Sequence, residues 1–292
     1  MKPSPILTIV ATLLAVSAII LPMNTSEALE KSSYPVENRV LTGADLLVSD
    51  GFSILSSKRV GLIANQTTRA QGEHLADLLH QAENVSLAAI FAPEHGFRGL
   101  AEAGATVKDG ADPETGVTVH SLYGSQKKPS QKSLRNIDVL LFDIQDIGVR
   151  YYTYISTMGL AMQAAAKAGI PFVVLDRPNP LGGTYVAGFV LEPNLRSFVG
   201  QYPIPIVHGL TVGELALMIR DLNWLPGLEK LDLKVIEMQG WNRSMRWPQT
   251  RRDWVMTSPN IPTFASALAY PGIGIIGETM LANEGRGTVI PF

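Results

Sequence analysis

Glu94 follows an apolar run, Val85 to Ala92, and sits between Pro93 and His95-Gly96. A carboxyl at the dry end of such a run is placed to act as a general acid. Pro93 fixes the backbone before it, and Gly96 permits close approach of a ligand or another backbone. The competing use for Glu94 is structural, as a helix cap or as an ion pair with Arg98. His95 has the chemistry to orient a substrate or bind a metal, although a lone His beside a strand is more often a hydrogen-bonded structural residue. Three further apolar runs end in polar groups. Asn65-Gln66 closes Val60 to Ala64, Asp143 with Gln145 and Asp146 closes Val139 to Phe142, and Asp176-Arg177 closes Phe172 to Leu175. Carboxylates in such half-buried positions are where proton-transfer chemistry is found. Beyond Asp146, Arg150, Tyr151, Tyr152 and Tyr154 offer a cation and aromatic faces. Aromatic faces stack on sugar rings and Arg pairs bidentately with carboxylates. The plainer use of these tyrosines is to pack the start of the next helix.

The elements that must position these groups alternate between strand and helix. The apolar runs Val60 to Ala64, Val85 to Ala92, Val139 to Phe142 and Phe172 to Leu175 read as strands buried on both faces, with Val117 to Leu122 a weaker one. His74 to Gln81, Tyr154 to Ala168 and Val212 to Leu222 read as helices, the last opened by a Thr211-x-x-Glu214 capping box. Leu231 to Met238 reads as another strand. This alternation predicts an α/β fold with a Rossmann-like parallel sheet over residues 29–225. In such sheets ligands bind beyond the carboxyl ends of the strands, so the polar clusters are expected to meet at one edge. From Gly240 the text turns to Trp, Arg and Pro, and residues 226–292 are expected to form a second, α+β domain.

Composition excludes several classes. Apolar residues make up 46% of the 292-residue chain, enough for a buried core. The net charge of −2 leaves no basic excess for nucleic acid. With 0 cysteines there are no disulfides, thiol nucleophiles or zinc-cysteine sites. The five His are scattered, and no metal site is expected. Gly272-x-Gly274-x-x-Gly277 matches the dinucleotide fingerprint as text. It follows Tyr270-Pro271 rather than a clear strand, so no nucleotide cofactor is expected and an oxidoreductase is disfavoured. There is neither a phosphate-binding Gly-x-x-x-x-Gly-Lys loop nor a Gly-x-Ser-x-Gly elbow.

Residues 1–28 read as an address. Lys2 precedes an apolar run from Ile6 to Leu21, Pro22 breaks it, and Ser26-Glu27-Ala28 fits a small-x-small cleavage site. The run is short for a bilayer span, which needs about 20 residues. The expectation is a signal peptide cut after Ala28, leaving a secreted or periplasmic protein with no integral membrane segment.

Four stretches together resemble a known family. They are Ala92 to Gly99 (APEHGFRG), Val139 to Tyr154 (VLLFDIQDIGVRYYTY), Asp176 to Gly183 (DRPNPLGG) and His208-Gly209-Leu210-Thr211. They are similar to the exo-β-N-acetylmuramidases of the NamZ type, and the likeness runs from about Val40 to the chain's end. The resemblance implies a Rossmann-like catalytic domain, a second domain, and a site in the cleft between them. It implies release of terminal N-acetylmuramic acid from the non-reducing ends of peptidoglycan fragments, with muropeptides or disaccharides as partners and no cofactor. The family glutamate carries over to Glu94. Cleavage of a glycoside usually takes two carboxyl groups, and Asp143 and Asp146 are the nearest second candidates. Asn65, His95, Arg150, Tyr151, Tyr152, Arg177 and Asn179 are the expected substrate contacts, with Glu284 joining from the second domain through its match Glu284 to Thr288. Arg150 and Arg177 are the candidates to read the lactyl carboxylate of muramic acid. Retaining, inverting and substrate-assisted routes all remain open, as does a binder that captures muropeptides without cutting them. The family's text continues past the Gly-Arg-Gly-Thr motif while this chain stops at Phe292, so the second domain is expected to be truncated.

Overall fold

The computed structural model describes residues 39–99 and 109–277. In chain order its elements are α1 (Gly43–Ser49), β1 (Arg59–Ala64), the short strands β2 (Arg69–Ala70) and β3 (Glu73–His74), α2 (Leu75–Gln81) and β4 (Ser86–Ala92). Then come β5 (Gly110–Ala111), β6 (Thr118–Ser121), β7 (Val139–Asp143), α3 (Tyr154–Ala168), β8 (Phe172–Leu175), α4 (Val212–Asp221), β9 (Leu233–Ile236) and α5 (Phe264–Gly277). The expected signal segment and Glu284 lie outside the described residues. No helix among those described is long and apolar enough to cross a membrane.

Seven strands form one sheet in the order β5-β6-β4-β1-β7-β8-β9. Every neighbouring pair is parallel except β5 against β6. Setting β5 aside, the parallel strands follow the doubly wound order 3-2-1-4-5-6, and the order reverses between β1 and β7. The Rossmann-like α/β fold expected from the sequence is therefore the fold observed. β9 lies beyond residue 225 and still pairs with β8, from Phe172↔Leu233 to Leu175↔Ile236.

Strand periodicity divides the core in two. Leu140 and Phe142 of β7 face one side, with Phe91, Phe172 and Val174, against Ile155, Met158 and Met162 of α3 and Leu215 and Ile219 of α4. Val139 and Leu141 face the other, with Val60, Leu62, Ile90 and Val173, against Leu47 of α1 and Leu75 and Leu79 of α2. All five residues of β7 are buried, and the first four, Val139 to Phe142, read as an unbroken apolar run. Burying a side chain such as Leu141 or Phe142 contributes about 1.5–3 kcal/mol.

The helix starts are chemically specified. Thr211 Oγ1 accepts from Glu214 N (3.2 Å) while Glu214 Oε2 accepts from Thr211 N (3.0 Å), the capping box expected for α4. α1 has the same device in Thr42 and Asp45, missed in the sequence because the helix is only 7 residues long. The glycines 272, 274 and 277 lie inside α5, where their backbone amides are part of a helix and not of a phosphate-binding loop.

Candidate active site

Pro93 to Gly96 form a tight turn beyond β4, closed by Gly96 N donating to Pro93 O at 3.1 Å. His95, third in this turn, has φ +69°. Glycine is the usual residue there, and a side chain in the left-handed region costs on the order of 1–3 kcal/mol. His95 is buried, whereas Glu94 is half-buried at the turn's tip. Arg98 is engaged elsewhere, with Asp77 (3.1 Å) and Asp112 (2.9 Å). The phenol of Tyr123, just past β6, hydrogen-bonds to the Glu94 carboxylate; burial first, then Glu94, push that phenol's pKa up.

Tyr154 is where the clusters from β1, β4 and β7 meet. Its hydroxyl is buried and donates to Thr257 O at 2.8 Å. Burial pushes its pKa up, the Asn65 amide draws it back, and the carboxylates of Glu94 and Asp146 push it up again. Asn65, Glu94 and Asp146 thus all act on one phenol near the point where the strand order reverses, the place where doubly wound sheets bind ligands. Asn65 is fully buried. Its Oδ1 accepts from Thr67 N (2.9 Å) and Thr67 Oγ1 (2.6 Å), and its carbonyl contacts His74 Nε2 at 3.0 Å.

Asp146 Oδ2 accepts from Gly148 N at 2.6 Å and lies 3.5 Å from Nε2 of His208. Gly148 has φ +79°, and a Cβ there would run into Asn179 Oδ1. Asn179 is occupied in the fold, donating to Leu210 O and accepting from Leu181 N, both at 3.0 Å.

The structure brings Asp143 and Arg177 together, but with each other. Arg177 Nε is 2.5 Å from Asp143 Oδ1 and Nη2 is 2.7 Å from Oδ2, and both side chains are buried. Burial pushes the Asp143 carboxyl up while Arg177 pulls it down. Asp176 caps α4, accepting from Gly213 N (2.8 Å) and Thr211 Oγ1 (2.9 Å), and burial raises its pKa to about 6 against those bonds. Arg150 Nη1 donates to Phe189 O (2.5 Å) and Ile204 O (2.7 Å). The tyrosine hydroxyls fasten the later chain. Tyr151 donates to Tyr270 O (3.0 Å) and Pro271 O (2.7 Å), and Tyr152 to Thr257 Oγ1 (2.8 Å). Gln66 joins them, donating to Met256 O and Thr257 O. Tyr123 and His208 were missed as site residues. His208 lies in one of the stretches shared with the family, but it precedes a helix rather than ending a strand. Among the described residues no group of three or more His, Asp or Glu could hold a metal ion.

The sequence profile of "Exo-beta-N-acetylmuramidase NamZ, N-terminal" matches residues 60–265. The chain belongs to the NamZ family. The match covers every element from β1 to the start of α5, and with them Glu94, Tyr154, Asp146 and His208. Over 255 residues the chain is 48% identical to the peptidoglycan β-N-acetylmuramidase NamZ of Bacillus subtilis (strain 168), taking in 87% of this chain and 60% of that protein. Two crystal structures of DUF1343 family proteins from Bacteroides fragilis NCTC 9343 share the fold. One has a TM-score of 0.81 at 46% identity, over 87% of this chain and 64% of the other. The second has a TM-score of 0.74 at 39% identity, over 86% and 65%. The chain thus spans under two thirds of the length of these relatives.

Proposed function

We propose that this chain carries the catalytic centre of an exo-acting β-N-acetylmuramidase, which releases terminal N-acetylmuramic acid from the non-reducing ends of peptidoglycan fragments. The observation that carries this reading is the placement of Glu94. It is the residue matching the family glutamate, it sits on a strained turn beyond β4, and it shares Tyr154 with Asp146. Glu94 gives its proton to the glycosidic oxygen as the C1–O bond breaks. Water supplies the hydroxyl that C1 gains, and its remaining proton passes to a carboxylate. Asp146 is the second carboxyl group of the site. Asp143 instead neutralises Arg177 and stiffens the ends of β7 and β8.

The substrate lies outside the cell membrane, which fits export directed by residues 1–28 and, in this reading, removal of that segment after Ala28. Glu94→Gln keeps the shape of the side chain and removes the transferable proton. It is expected to lower turnover of a chromogenic N-acetylmuramide a hundredfold or more, within the roughly 10²–10⁴ that acid–base catalysis contributes. Turnover within threefold of wild type would overturn the assignment.

A further inference from the structure

His208 and Asp146 form a buried pair that the fold leaves unfinished. Both are 5% exposed. His208 Nδ1 accepts from Leu210 N at 3.1 Å, so the ring's proton sits on Nε2. Among the described residues that atom has no hydrogen-bond partner, and the nearest carboxylate oxygen is Asp146 Oδ2 at 3.5 Å. Asp146 Oδ1 is likewise buried without a donor among the described residues. A buried polar group left unsatisfied works against folding, and native proteins keep few of them.

The surroundings hold the pair rigidly. His208 N donates to Gly148 O (3.3 Å) while Gly148 N donates to Asp146 Oδ2, and Val149 and Val207 form an antiparallel bridge alongside. Asn179 ties Leu210 to the same corner. Backbone, carboxylate and imidazole therefore close one ring, and its carboxylate acts on Tyr154 together with Glu94.

We propose that His208 is a positioning residue, whose Nε2–H orients the buried Asp146 carboxylate for its part in the cleavage. The inference rests on the reading of Glu94 as the acid of a muramidase. In that arrangement the Nε2 contact tightens on substrate binding, as catalytic hydrogen bonds commonly do. An interaction realised in the transition state affects kcat more than KM.

The test compares His208→Met with His208→Gln on 4-nitrophenyl N-acetyl-β-muramide, with thermal melting of each variant and Glu94→Gln alongside. Gln can return an N–H to the place of Nε2, and Met cannot. The expected result is a kcat for His208→Met at least about thirtyfold below wild type and a KM within about threefold, with His208→Gln recovering most of the loss although both variants, having lost the acceptor of Leu210 N, melt equally below wild type. Equal loss in both variants, a His208→Met melting temperature well below that of His208→Gln, or no loss in either, overturns the role of His208. If Glu94→Gln is inactive in those cases, the muramidase reading stands without His208. If Glu94→Gln stays active, or if wild type cleaves no muramide, the parent reading fails and this inference falls with it.

Discussion

Arg177 holds Asp143 with two parallel bonds, 2.5 and 2.7 Å long, in a place where neither side chain reaches solvent. Removing one partner of such a pair strands a buried charge, which costs roughly 3–5 kcal/mol, whereas removing both costs far less. Arg177→Met is therefore expected to lower the urea midpoint strongly, and Asp143→Leu combined with Arg177→Met to recover most of it. An Arg177→Met protein as stable as wild type but defective only toward free-lactyl substrates would instead return Arg177 to the binding surface.

Gly148 is the hinge of the Asp146 corner. Its φ of +79° and the nearness of Asn179 leave no room for a Cβ. Gly148→Ala is expected to cost more than about 1 kcal/mol of stability and to depress turnover, since Gly148 N and O hold Asp146 and His208. Denaturation and activity measured on the same preparation check this, and a neutral result on both would refute the corner's rigidity.

His74 and Asp176 give stability opposing pH dependences. Burial, outweighing the bond to Asn65 O, lowers His74 to about 4. Its folded value lies below the ordinary 6.5, so its contribution is present above that pH and lost as pH falls toward 4. Asp176 is raised by burial to about 6, so its contribution is full below its ordinary 3.8 and lost as pH rises through 6. The difference in unfolding free energy between wild type and His74→Gln is expected to grow by about 3 kcal/mol from pH 4 to 6.5. Urea titrations across that range measure it, and a constant gap would contradict a neutral, buried His74.

The sheet was legible because β1, β4, β7 and β8 are apolar on both faces, so burial and sequence carry the same message. Convergence at one edge was legible for the same reason, and Glu94, Asp146 and Asn65 all act on Tyr154 near it. Strand-end position alone does not say which polar groups remain available to a ligand. Asp143 and Arg177 have complementary charges on adjacent strands and neutralise each other. Asp176 faces the first turn of α4 and caps it. The tyrosines after Asp146 fasten residues about a hundred positions later, a contact with no local signature. His208 was hidden because its neighbour in space, Asp146, is far away in sequence.

The most direct test is hydrolysis by the chain itself of 4-nitrophenyl N-acetyl-β-muramide beside the matching N-acetylglucosaminide. The two sugars differ by the lactyl ether, and a site built for muramic acid reads that group through charged or oriented bonds, each worth about tenfold or more. Release from the muramide at least roughly tenfold faster than from the glucosaminide, abolished in Glu94→Gln, is the predicted result. No release from the muramide, or faster release from the glucosaminide, would contradict it.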